Sequence, residues 1–115
     1  MSGARGEGYI DAENQEHPVL FTNRALAEAE QVLGLPMAGY LARARSGDIG
    51  VQQIAQLLRI GLEHARRDRK EQRASYTQND AFDLLDEFGF VAVSTVVVQA
   101  LTAVLTYNRE GANPQ

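Results

Sequence analysis

The sequence contains no cysteine, and this absence excludes several classes of protein at once. Without cysteine the chain forms no disulfide, no thiolate metal site and no cysteine nucleophile. Such a composition is typical of proteins from a reducing compartment, so we expect a cytoplasmic location. The first residues, MSGARGEGY, lack the apolar run of a secretory signal, and no export signal is predicted.

The short motifs that carry common chemistries are also missing. Neither GxGxxG nor GxxxxGK[ST] occurs, so the usual phosphate-binding loops are not predicted. Ser94 has no GxSxG context, and the two histidines, His17 and His64, lie in a predicted turn and at a predicted helix end. His64 and Asp68 would share a helical face, but two ligands are too few for zinc. We therefore predict a non-enzymatic protein with no catalytic residue, no metal and no cofactor.

Basic residues are scarce outside one stretch. Residues 1–30 hold two arginines against six acids, and residues 77–89 hold four acids and no base, within a net charge of −4. Between them, HARRDRKEQR holds five bases against two acids. Such a run is usually solvated surface, but Arg66, Arg67 and Arg69 are candidate contacts to a partner or to phosphates. The acidic ridge of NDAFDLLDEFG lacks the ligand spacing of an EF-hand loop.

The length of 115 residues fits one domain, and the pattern predicts a mainly α fold. We expect four to five helices in one small bundle with a short N-terminal β-hairpin, over residues 8–108. Residues 1–7 and 109–115 are expected to be flexible tails. The hairpin is predicted from extended pieces at residues 9–12 and 19–21, with Pro18 at an edge because it donates no ladder hydrogen bond.

Capping signals and helical periodicity place the first four helices. Thr22 and Gly34 bound a helix over residues 23–33, and Pro36 lies at the first turn of a second helix. Asp48 is the predicted cap of a third helix, in which Gly61 indicates close packing. A capping box at Thr77 starts a fourth helix. Residues 66–75 are compatible with a helix extension or a loop.

The last segment, GFVAVSTVVVQALTAVLTY, carries no formal charge. Its β-branched residues favour a strand, whereas the 17 residues from 91 to 107 are too long for an ordinary strand and favour a helix. Its polar residues argue for a buried or partner-facing helix rather than a membrane span. We expect Val93, Val97 and Leu101 to face the core. The outward, partner-binding positions would then be Val96, Thr102 and Leu105.

The order of these segments resembles a family of phage proteins. The stretches VLFTNRALAEAEQVLG, IGVQQIAQLLRIGLEHA and TQNDAFDLLDEFGFVAVSTVVVQALTAVL are similar to the tail assembly chaperones of long-tailed phages, especially those related to the gene-transfer-agent tail protein family. The resemblance covers residues 8–107. It implies a phage or prophage protein that binds the tape measure protein, keeps it soluble and recruits tail tube subunits in the host cytoplasm.

The sequence is also compatible with two other functions. Some proteins of that family are described as tube proteins, so a structural tail tube or minor tail component is the first alternative. A small DNA-binding regulator is the second, because GDIGVQQIAQLLRIGLEHARRDRK has the rhythm of a helix-turn-helix. The acidic composition makes a nucleic-acid partner less expected. A homo-oligomer is a further expectation.

Overall fold

The N-terminal part of the chain forms an antiparallel hairpin of two strands. The computed structural model describes residues 6–12 and 15–111, in which β1 is Glu7–Ala12 and β2 is Gln15–Leu20. Glu7 pairs with Leu20, and Tyr9 pairs with Pro18. Both strands of a two-stranded sheet are edge strands, so the hairpin accommodates Pro18 as predicted.

Five helices follow the hairpin, and together they confirm the predicted mainly α fold. They are α1 (Asn23–Leu33), α2 (Met37–Arg45), α3 (Val51–Arg69), α4 (Gln78–Phe88) and α5 (Phe90–Thr106), and a π-helical turn, Tyr107–Gly111, ends the described chain. Of the two predicted tails, residues 1–5 and 112–115 lie outside the described residues. Glu7 is part of β1, and residues 109–111 are part of the π-helical turn.

Local capping signals explain where α1 and α4 begin. The Thr22 hydroxyl accepts the N–H of Ala25 at 3.1 Å. Thr77 and Asp80 form a complete capping box, in which each side chain accepts the other residue's backbone N–H. A side-chain oxygen at these positions binds an N–H group that the helix itself leaves unpaired. Both helix starts are where the sequence predicts them.

The starts of α2 and α3 differ from the prediction. Pro36 is the N-cap of α2 and makes no side-chain cap; instead the Glu30 carboxylate of α1 accepts the Met37 N–H at 2.9 Å. The cap of α3 is Gly50. Asp48 does not cap α3, because its carboxylate pairs with the Nε of Arg43 at 3.0 Å.

Helix α3 occupies the centre of the molecule, where it packs against β2, α1, α4 and α5. Helix α5 packs against β1, α2, α3 and α4. The predicted inner positions of α5, Val93, Val97 and Leu101, are each 0% exposed. Burying side chains of this kind contributes roughly 1.5–3 kcal/mol each, so the two longest helices supply much of the core.

Candidate interaction groove

A groove lies between α2 and the end of α5. Its volume is about 470 Å³, within the roughly 300–1,000 Å³ typical of binding clefts. From α2 it is lined by Ala38, Leu41, Ala42 and Arg45, and from the end of α5 and the π-helical turn by Leu105, Thr106, Asn108 and Arg109. We call this set the α2–α5 groove. Its floor is mainly apolar, and its rim carries arginine.

Helical spacing explains why one face of α2 forms a wall of this groove. The four α2 positions are separated by three, four and seven residues, so they lie on one side of the helix. Ala38 and Ala42 are exposed and small, and this leaves space beside the buried Leu41. The wall is therefore shallow, and an apolar side chain of a partner has room to enter it.

The opposite wall is held in place by the chain that follows α5. The Asn108 side chain donates a hydrogen bond to Oδ1 of Asn23 at 2.6 Å, which ties the π-helical turn to the start of α1. Leu105 is half-buried and packs against the core from inside the groove. The groove is thus formed by two segments that are distant in sequence: α2, and the end of α5 with the π-helical turn that follows it.

The three predicted outward positions on α5 have different surroundings. Val96 is half-buried beside Gly8 of β1: its Cγ1 atom would lie 3.0 Å from a Cβ built there. The Thr102 hydroxyl donates to the Val98 carbonyl at 2.7 Å and is half-buried. Of the three, Leu105 is the one that lines the α2–α5 groove. Partner binding through these residues stays a prediction, and Leu105 has the most suitable position for it.

The basic stretch at the end of α3 is tied to a buried carboxylate. Glu63 is 3% exposed, and its carboxylate accepts hydrogen bonds from Arg66 and from the Nε of Arg67 at 3.0 Å. It also accepts the backbone N–H of Tyr76 at 2.9 Å. These bonds, led by those from Arg66, lower the pKa of Glu63 from 4.5 to about 2. Sequence reasoning missed Glu63, because nothing in the sequence shows that residue 76 returns to it.

The arginines that were predicted to contact a partner therefore make contacts within the folded chain. Arg66 also donates to the Arg73 carbonyl at 3.3 Å and to the Ser75 hydroxyl at 3.2 Å, so it holds the segment between α3 and α4. The guanidinium carbon of Arg69 lies 5.9 Å from the centre of the Tyr9 ring, within the range of a cation–π contact. These internal contacts weaken the argument for phosphate binding by this stretch.

A second polar cluster joins α1 to α3. Glu28 accepts Nη2 of Arg59 at 3.1 Å and lies 3.0 Å from Nε2 of His64. The hydrogen bond from His64 is the largest cause that lowers the pKa of Glu28. His64 thus pairs with α1, whereas Asp68, its predicted neighbour on α3, is exposed. Within the described residues no group of three or more His, Cys, Asp or Glu side chains is placed to hold a metal.

One helical segment passes a simple test for a membrane span. Phe90–Arg109, which includes α5, is long and apolar enough by length and composition, with a mean hydropathy of 1.8. The core helix of a globular protein passes the same test, and α5 has six buried residues in the folded chain. That the chain has no membrane partner stays a prediction.

Comparisons with known proteins found no relative of this chain. No protein-family model matches the chain, and neither a curated protein nor a solved structure matches it. The resemblance to phage tail assembly chaperones therefore stays a prediction that rests on the quoted stretches of sequence.

Proposed function

We propose that the chain is a non-enzymatic assembly chaperone, which binds a helical segment of a partner protein in the α2–α5 groove. The observation that supports this proposal is the groove itself, an open cleft of about 470 Å³ with Leu41 and Leu105 on its floor. An apolar groove between two helices suits one face of an amphipathic helix, which would anchor itself through residues spaced three and four apart.

The resemblance of the sequence supplies the candidate partner. In phage tail assembly the client is the tape measure protein, and the chaperone also recruits tail tube subunits. We propose the same client here, in the cytoplasm of a host cell that carries the phage or prophage. The arginine rim of the groove adds a preference for client helices with acidic residues beside the apolar face.

Co-expression with the tape measure protein of the same gene cluster tests the proposal. We expect the tape measure protein to become soluble and to co-elute with the wild-type chain. Ala42→Glu places a bulky charged side chain in the groove from an exposed helix position, so the fold should tolerate it and co-elution should be lost. Ala27→Glu on the exposed side of α1 is the matched control and should retain co-elution.

Two outcomes would contradict the proposal. Equal co-elution of the Ala42→Glu and Ala27→Glu variants would show that the groove is not the binding site. Rings or tubes of the chain alone that persist on dilution, without binding of the tape measure protein, would identify a structural tail component instead.

A further inference from the structure

A second surface lies at the other end of α5, where α4 turns into α5. Val91 is 76% exposed there, and the half-buried Phe90 lies next to it. Asp86 and Glu87 in the last turn of α4 are exposed, and neither forms an ion pair with another described residue. We call these four residues the α4–α5 corner. It combines an exposed apolar side chain with two acids.

The α2–α5 groove is complementary to this corner in charge and polarity. Helix α2 contains arginines and no acid, and Arg45 at the groove is exposed without an ion pair to any described residue. The chain from Ala74 to Asn108, which includes the corner, contains no lysine or arginine. An acidic apolar corner and a basic apolar groove attract each other, and each covers the other's exposed apolar surface.

The corner of one molecule does not reach the groove of the same molecule. Helix α5 has 17 residues, and at about 1.5 Å per residue its two ends are roughly 25 Å apart. The two surfaces lie at these opposite ends. Contact between them therefore requires two copies of the chain, arranged head to tail.

We infer that, when no client is bound, the α2–α5 groove holds the α4–α5 corner of a second copy of this chain. Val91 enters the apolar floor, and the acids at the end of α4 pair with Arg45. The two surfaces consist of four and eight residues, whereas a stable interface has roughly 20–30 residues on each side, so we expect a weak association that depends on concentration. The competition with a client rests on the proposed function, whereas self-association is a property of the chain alone.

Sedimentation velocity of the purified chain over a range of concentrations tests the inference. We expect the mean mass of the wild type to rise with concentration at low salt, and this rise to shrink at high salt. Arg45→Glu should abolish the rise, and so should the double variant Asp86→Lys, Glu87→Lys. Lysines in the last turn of α4 are favourable for the helix dipole, so the double variant should fold.

Mixing the two variants gives the most specific readout. The lysine corner of the double variant is complementary to the acidic groove of Arg45→Glu, and the acidic corner of Arg45→Glu is complementary to the unchanged groove of the double variant. The mixture should therefore regain the association that neither variant shows alone. Arg24→Glu, an exposed change of the same charge on α1, should associate like the wild type. Val91→Ser should lose association, whereas Val32→Ser, at a residue that is 44% exposed on α1, should retain it.

Three outcomes would overturn the inference: a wild type that stays monomeric at every concentration, a mixture that does not associate, or a Val91→Ser variant that associates normally. Co-elution of the tape measure protein with the Val91→Ser variant separates the two proposals. If this variant is monomeric and binds the client, both proposals stand. If the wild type is monomeric and binds the client, the proposed function stands and the inference of self-association is wrong.

Discussion

Gly61 of α3 lies directly against the ring of Phe21. A Cβ atom built on Gly61 would be 2.8 Å from Cζ of Phe21 and 3.0 Å from Cβ of Val19. Phe21 is 0% exposed, so its ring cannot move away from Gly61 without displacing other core side chains or entering a packing gap. The absence of a side chain at residue 61 is therefore what lets α3 approach the end of the hairpin.

Gly61→Ala should destabilise the protein by up to about 2 kcal/mol. Overpacking of a core costs roughly 1–3 kcal/mol, and the higher helix propensity of alanine offsets about 1 kcal/mol of this. Urea unfolding followed by circular dichroism measures the change. Gly39→Ala in α2 is the matched control, because no atom lies within 4 Å of its added Cβ; it should stabilise by about 0.5–1 kcal/mol. Equal effects of the two substitutions would contradict the close approach.

Glu63 should make the stability of the protein depend on pH in the acid range. Its pKa is about 2 in the folded chain and 4.5 in the unfolded one, so the ionised form is favoured by folding. This contribution is fully present above pH 4.5 and is lost as the pH falls toward 2. Glu63→Gln should cost about 2–3 kcal/mol at neutral pH, and its deficit should shrink at low pH.

Urea unfolding at neutral pH and near the lower end of this range checks the prediction. Asp83→Asn is a useful comparison, because Asp83 is an exposed acid on α4. A Glu63→Gln variant that loses as much stability in acid as the wild type does would show that another carboxylate carries the pH dependence.

Arg66 and Arg69 should differ in their effect on folding. Arg66→Ala removes hydrogen bonds to Glu63, Arg73 and Ser75, so the urea midpoint should fall clearly. Arg69→Ala removes one exposed contact to Tyr9 and should change the midpoint little. If both variants instead kept full stability and lost binding to duplex DNA at low salt, the stretch would serve as a phosphate contact and the regulator would gain support.

Tyr40→Phe should leave the protein as stable as before or stabilise it by up to about 1 kcal/mol. Tyr40 is 1% exposed, and its hydroxyl has no hydrogen-bond partner among the described residues. Burial also raises its pKa above 10.0. Removing a buried hydroxyl without a partner removes a desolvation cost. Thermal unfolding of both proteins gives the comparison, and a clear loss of stability would show that the hydroxyl has a hydrogen-bond partner, for which a bound water is one candidate.

The sequence predicts the parts of the fold whose signals are local. The boundaries of α1 follow from the cap at Thr22 and from Gly34, which has a φ of +76°, so both ends are confirmed. The inner face of α5 follows from periodicity alone. The cap of α3 was predicted wrongly, because the local preference of Asp48 for a cap competes with its ion pair to Arg43.

The candidate site could not be predicted in the same way. The α2–α5 groove joins residues 38–45 to residues 105–109, and no periodicity relates such distant segments. Its signal on α2 is the pair of exposed alanines, which resembles an ordinary helix surface. Arg66 and Arg67 were candidate partner contacts because a sequence shows charge but not the buried Glu63 that pairs with it.

The hydrogen bond from Met37 to Glu30 links the groove to a helix that does not line it. Because the Glu30 side chain of α1 binds the Met37 N–H at the start of α2, fraying in the last turn of α1 should expose this N–H and loosen a wall of the groove. The groove and the last turn of α1 are thus thermodynamically coupled. A partner that binds the groove will slow amide hydrogen exchange in the last turn of α1, although it touches no residue there.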